Sequence, residues 1–273
     1  MPHVTTRDNT KLNLKDWGAG RAVILLHGWP LSADSWDEQA MAIADAGMRA
    51  IAYDRRGFGR SAQPWGGYDY DTMADDLAAV IEASAAQDVT LVGFSMGGGE
   101  VARYMSRHGG KKVAQAVLVS AVVPYMLQTP DNPKGVPQAT FDQMTAAMKQ
   151  DRAHFFADFF KAFFGEGLLS KPVSNEVLDW ARDVAMMASF KATLACAQSF
   201  ATTDFRSDLA AFNVPTLIIH GTSDQTVPID ATGRASARGI GQDQLIEYDG
   251  APHGLFVTHK ERLTQDLLTF LRS

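Results

Sequence analysis

Short runs of this 273-residue chain, at 23–26, 50–53, 89–94, 116–119, 216–219 and 245–248, are apolar on consecutive rather than alternate residues. A strand with one face in water shows alternation. A strand covered on both faces reads as a near-continuous apolar run. Between the runs lie stretches of helical length at 37–46, 71–85, 97–107, 229–237 and 260–271. Strands that recur after helical crossovers pair in parallel, so the pattern predicts an α/β fold with a mostly parallel, doubly wound sheet. Two further segments, around Val4 and at 12–17, are expected to add an antiparallel edge.

From 124 to 207 the rhythm stops. No strand-like run occurs there; Pro124, Pro130, Pro133 and Pro137 come first, followed by helical stretches. This predicts a core domain made of 1–123 and 208–273, interrupted by a helical cap at 124–207. With 46% hydrophobic and 21% charged residues, the chain has globular composition, which excludes a disordered or collagen-like polymer. A net charge of −6 speaks against nucleic acid as partner, which requires clustered positive charge. Cys196 is the single cysteine and can form no intrachain disulfide. The N-terminal residues show no basic-then-apolar signal pattern, and no apolar stretch is long enough to span a bilayer. The expected location is the cytoplasm, with no membrane partner.

Gly93-Phe94-Ser95-Met96-Gly97 follows an apolar strand and opens a helix, the setting of a nucleophile elbow. A serine in such a sharp turn presents its hydroxyl above the sheet, and its neighbours two residues away must be small. Gly98 and Gly99 leave further room for the helix to approach the strands. The helix N-terminus behind Ser95 favours negative charge. A serine nucleophile also needs a base and an acid, which in this topology follow in the order Ser, Asp, His. Asp224 lies just past the 216–219 strand and His253 just past the last one, so all three candidates stand beyond carboxyl strand ends.

These segments, with His27-Gly28-Trp29-Pro30, Asp54-Arg55-Arg56-Gly57-Phe58-Gly59-Arg60-Ser61 and Ala251-Pro252-His253-Gly254, resemble the α/β-hydrolases. More narrowly, the chain resembles bacterial arylesterases known as cofactor-free haloperoxidases or perhydrolases, over essentially its whole length. The resemblance implies hydrolysis of small or aromatic carboxylic esters, with perhydrolysis by hydrogen peroxide as a side activity, and a homo-oligomer. It places the oxyanion hole at the backbone N–H groups of Trp29 and Met96, and the substrate pocket at Phe159, Phe163, Val122, Met126 and Val227. The oxyanion assignment agrees with the elbow's geometry, since one donor follows the nucleophile and the other comes from the loop after the 23–26 strand. Trp29 is expected to line the same pocket. Pro30 biases Trp29 toward extended backbone and is expected to fix its peptide orientation, and so the competition between peroxide and water.

Plainer readings compete at several positions. His27 and His220 end strands beside glycine, where structural hydrogen bonding is the expected role. Asp54, Arg55 and Arg56 flank a tight turn and are expected to brace a loop rather than clamp a charged substrate. Cys196 is expected to be a buried cap residue. Phe155, Phe159 and Phe163 form one helical stripe and Phe156, Phe160 and Phe164 a second, of which at least one must be core. There is no phosphate loop, dinucleotide fingerprint, H-E-x-x-H or paired-cysteine spacing, so neither cofactor nor metal is expected. The expected partners are a small-molecule ester and water or hydrogen peroxide as acyl acceptor. Lactam or amide hydrolysis uses the same constellation and is the alternative within the fold. A ligand-binding hydrolase relative with slow turnover is the alternative outside catalysis.

Overall fold

Eight strands form one sheet in the order β1-β2-β4-β3-β5-β6-β7-β8 in a computed structural model that describes residues 2–167 and 170–273. Met1 of the expected core segment and Leu168 and Leu169 of the expected cap lie outside the described residues. The strands are β1 (His3–Thr5), β2 (Lys11–Gly18), β3 (Ala22–Leu26), β4 (Arg49–Tyr53), β5 (Val89–Phe94), β6 (Val113–Val119), β7 (Thr216–Gly221) and β8 (Asp243–Tyr248). From β4 across to β8 every pairing is parallel. The β1–β2 and β2–β4 pairs are antiparallel, as expected of the edge. All residues of β3, β5 and β7 are buried, which is why their runs are unbroken by polar side chains.

The helices are α1 (Asp37–Asp45), α2 (Tyr70–Ala83), α3 (Met96–Arg107), α4 (Gln138–Phe164), α5 (Asn175–Met187), α6 (Phe190–Thr202), α7 (Gly233–Gly239), α8 (Leu255–Thr258) and α9 (Lys260–Leu271). In the core, α2 packs on α3 and α1 on α9. Capping follows the sequence: Asp69 accepts from Thr72 N, Ser174 from Val177 N and Ser189 from Ala192 N. The helix expected at 229–237 begins later, at Gly233. Residues 228–232 form a turn instead, in which Pro228 O and Ile229 O accept from Ala231 N and Thr232 N.

Between β6 and β7 stand α4, α5 and α6, with α4 packed on the other two. Asp151 interrupts α4 with non-helical angles (φ −155°, ψ 93°), and its Oδ1 accepts from His154 N, capping the second half. Backbone hydrogen bonds tie these helices to the sheet side: Ser189 N to Gly57 O (2.8 Å), Phe205 N to Pro124 O (2.8 Å) and Gly254 N to Phe163 O (2.9 Å). Among the described residues no helix is long and apolar enough to cross a membrane.

Candidate active site

The strand order places β3 between β4 and β5, so the chain's crossovers reverse direction there. Crevices beyond carboxyl strand ends at such a reversal are where open α/β sheets bind ligands. The loop after β3 carries Trp29 and the turn after β5 carries Ser95, so the two lie side by side.

Ser95 sits at φ 54°, ψ −118°, a left-handed strained turn held by its surroundings. Its N–H donates to Val119 O (2.9 Å), and its carbonyl accepts from Gly98 N (3.0 Å) and Val122 N (3.2 Å). A Cβ on Gly93 would lie 2.6 Å from Gly97 O, and one on Gly97 would lie 2.5 Å from Leu26 O. On Gly98 it would meet the Ala121 Cβ at 2.3 Å. The glycines are therefore demanded by how closely α3 approaches the strands.

Across 158 positions of sequence, Ser95 Oγ meets His253 Nε2 at 2.9 Å, and His253 Nδ1 meets Asp224 Oδ2 at 2.6 Å. Asp224 cannot donate, so Nδ1 carries the proton and Nε2 is left bare to accept one from Ser95. The other carboxylate oxygen of Asp224 accepts from Thr226 N (2.9 Å) and Val227 N (2.8 Å). Burial raises the Asp224 carboxyl, but the attraction of His253 and hydrogen bonds from His220 and His253 outweigh it and hold it well below the usual carboxylate range. The His253 ring lies between Phe94 (centroids 4.9 Å) and Phe163 (4.8 Å, edge-on), which confines it to one plane. The backbone N–H groups of Trp29 and Met96 donate to no protein acceptor among the described residues. Chemically, the set can deliver a serine oxygen as nucleophile and shuttle its proton.

Ser95 opens onto a cavity of about 280 Å³. Trp29, Val122, Met126, Phe159 and Val227 all line it, and no charged residue does. Phe163 does not. It is fully buried, packed on Phe94 and His253 behind the wall, so its expected place in the pocket is corrected. The reason lies in the breadth of α4: Phe156, Phe160, Phe163 and Phe164 fill the core, while Phe155 and Phe159, one turn apart, face the cavity. Phe141, Met144 and Phe200 also line it and were not anticipated. They are apolar helix residues that no local pattern separates from core. Gln225 and Thr226 line it too, and their place next to Asp224 is the sequence signal for them.

The remaining expectations concern bracing. Asp54 accepts from Ala33 N and Arg60 N (2.8 Å each), and Arg56 pairs with Asp76 and Asp8. Arg55 forms a buried pair with Glu100. Cys196 is fully buried and burial pushes its thiol up to about 12, which makes it a poor nucleophile. His220 Nε2 lies 2.9 Å from Val227 O. No group of His, Cys, Asp and Glu among the described residues could hold a metal ion.

Comparisons with known proteins agree with this architecture. The family model described as alpha/beta hydrolase fold matches residues 21–260. A non-heme chloroperoxidase of Kitasatospora aureofaciens is 45% identical over 99% of both chains. A bifunctional esterase/perhydrolase of Acinetobacter calcoaceticus is 43% identical over the whole of both. The crystal structure of a bromoperoxidase from Bacillus anthracis superposes with a TM-score of 0.96 at 43% identity, covering 100% of this chain and 99% of that one. With its sheet, its elbow and these full-length relatives in agreement, the chain belongs to the α/β-hydrolase family.

Proposed function

We propose that this protein is a serine hydrolase of small, uncharged carboxylic esters that also perhydrolyses them, with Ser95, His253 and Asp224 as its triad and 124–207 as a cap over the core. The observation that carries the reading is the unbroken Ser95–His253–Asp224 relay, at 2.9 and 2.6 Å, in the floor of a small apolar cavity. The names of the esterase/perhydrolase and chloroperoxidase relatives support the reaction class.

In the proposed cycle His253 takes the Ser95 proton as Oγ attacks the ester carbonyl. The Trp29 and Met96 N–H groups receive the oxyanion; one such donor typically contributes about 2.7–4 kcal/mol to lowering the barrier. His253 then protonates the departing alcohol. Water, deprotonated by the same ring, adds to the acyl carbon; the acyl–Oγ bond then breaks, His253 returns the proton to Ser95 Oγ and the acid leaves, or the peracid when hydrogen peroxide takes water's place. A halide would be oxidised afterwards by the free peracid, which requires neither metal nor cofactor on the protein.

The test is p-nitrophenol release from acyl esters of increasing chain length, with and without hydrogen peroxide, for wild type and Ser95→Ala. Turnover confined to short or aromatic esters, abolished in Ser95→Ala, and a peracid formed only with peroxide are expected. A single stoichiometric burst would favour a ligand-binding relative. Faster turnover of the matching anilides would favour amide hydrolysis.

A further inference from the structure

The loop that carries Trp29 is held from beneath by a buried network that the reaction cycle does not use. His27 Nε2 lies 3.0 Å from the backbone nitrogen of Arg55, and its Nδ1 lies 2.9 Å from Gly28 O. A backbone N–H can only donate and a carbonyl can only accept. The ring is therefore neutral, bare at Nε2 and protonated at Nδ1. Its buried setting, followed by the Arg55 charge, holds its pKa well below the ordinary histidine value, in keeping with that assignment. Arg55 also donates through Nη2 to His27 O at 2.6 Å and is neutralised by Glu100 on α3, one turn beyond Met96. Tyr53 Oη donates to the other Glu100 oxygen at 2.8 Å.

The peptide plane turns this bracing into function. The Gly28 carbonyl and the Trp29 N–H belong to one planar, trans-directed unit, so fixing one direction fixes the other. Resting on the serine-esterase reading, we infer that His27 is a positioning residue: its Nδ1–H holds the Gly28 carbonyl and thereby aims the Trp29 N–H at the oxyanion. Leu31 N donates to the same carbonyl at 3.0 Å, so loss of the ring loosens the plane without releasing it. The Arg55–Glu100 pair then joins the loop bearing one oxyanion donor to the helix bearing the other.

Two substitutions separate the ring's two nitrogens. His27→Asn places an amide N–H near the Nδ1 position; His27→Gln places its amide near Nε2 and leaves Gly28 O without its side-chain donor. Full loss of an oxyanion donor lowers kcat by about 10²–10³-fold. For misaimed Trp29, His27→Gln is expected to lose about ten-fold or more in kcat with little change in KM. A boronic acid that mimics the tetrahedral adduct should weaken in parallel, and His27→Asn should recover most of both. Equal losses in the two variants, or a loss confined to KM, would overturn the inference. Should neither variant fold, nitrogen-15 NMR of histidine-labelled wild type decides, since an Nε2–H tautomer at His27 contradicts it. An active Ser95→Ala would sink the esterase reading itself. An inactive Ser95→Ala beside an unimpaired His27→Gln would sink this inference alone.

Discussion

At the scale of single residues, the proposed triad rests on each polar group having one permitted role. Asp224 has both oxygens occupied, Oδ1 by the Thr226 and Val227 N–H groups and Oδ2 by His253. Asp224→Asn keeps an acceptor for the two backbone donors but turns an N–H toward His253, which then presents the wrong nitrogen to Ser95. A fall of about 10⁴-fold in kcat at unchanged fold is expected, from the same tautomer error in other triads. The sign of the pH dependence follows from the same pair. Asp224, its pKa depressed, adds stability that is fully present above the ordinary carboxylate pKa and is lost as pH falls from there through its lowered value. His253 must be neutral to accept the Ser95 proton. On the acid side the Asp224 carboxylate should therefore add no proton uptake of its own to the fall in kcat/KM until pH reaches its lowered value. A limb of slope two, measured across the acid range, would mean that the carboxylate titrates there as well.

At the scale of elements, α4 shows what periodicity can and cannot settle. Six of its seven phenylalanines, those from Phe155 to Phe164, form two adjoining stripes whose spacing is plain in the sequence, and at least one stripe had to be core. Which residues meet the cavity is decided by what packs against the helix. Phe163 is claimed by Phe94, Phe256 and His253, and Phe159 is left facing Trp29 and the cavity. The two should behave differently when truncated. Phe159→Ala should enlarge the pocket and move ester preference toward longer acyl chains with modest change in stability. Phe163→Ala should cost about 3–5 kcal/mol, as buried phenylalanines do, and lower kcat by freeing the His253 ring. Urea unfolding and a chain-length series on both variants check this, and an identical shift in preference would contradict it. The elbow is the opposite case. Glycines at 93, 97 and 98 stand where any Cβ would meet backbone or Ala121, so local spacing announced the tertiary contact.

At the scale of the molecule, the helices between β6 and β7 share one continuous hydrophobic core with the sheet. Trp29, Phe94 and Val122 belong to the same buried cluster as Phe156, Phe160 and Cys196. Hydrogen bonds from Trp29 Nε1 to Thr193 O (3.0 Å) and from Ser199 Oγ to Tyr68 O (2.7 Å) cross the same boundary. The cap segment should therefore not melt separately. Far-ultraviolet and near-ultraviolet dichroism are expected to give one coincident urea transition. An early transition in the aromatic signal alone would show a separable cap.

What the sequence determined by itself is local and periodic: buried strands as unbroken apolar runs, helices between them, a helical segment where strands stop, and a serine, aspartate and histidine beyond carboxyl strand ends. These follow from short-range sterics and from the burial of both sheet faces, which every such chain must satisfy within a few residues. The tertiary structure alone decided which phenylalanines face the cavity, that Phe141, Met144 and Phe200 join its wall, and that His27, Arg55 and Glu100 meet beneath the loop that carries Trp29. Those outcomes depend on partners far apart in the chain, and an apolar or charged side chain carries no local sign of which distant neighbour will take it out of water.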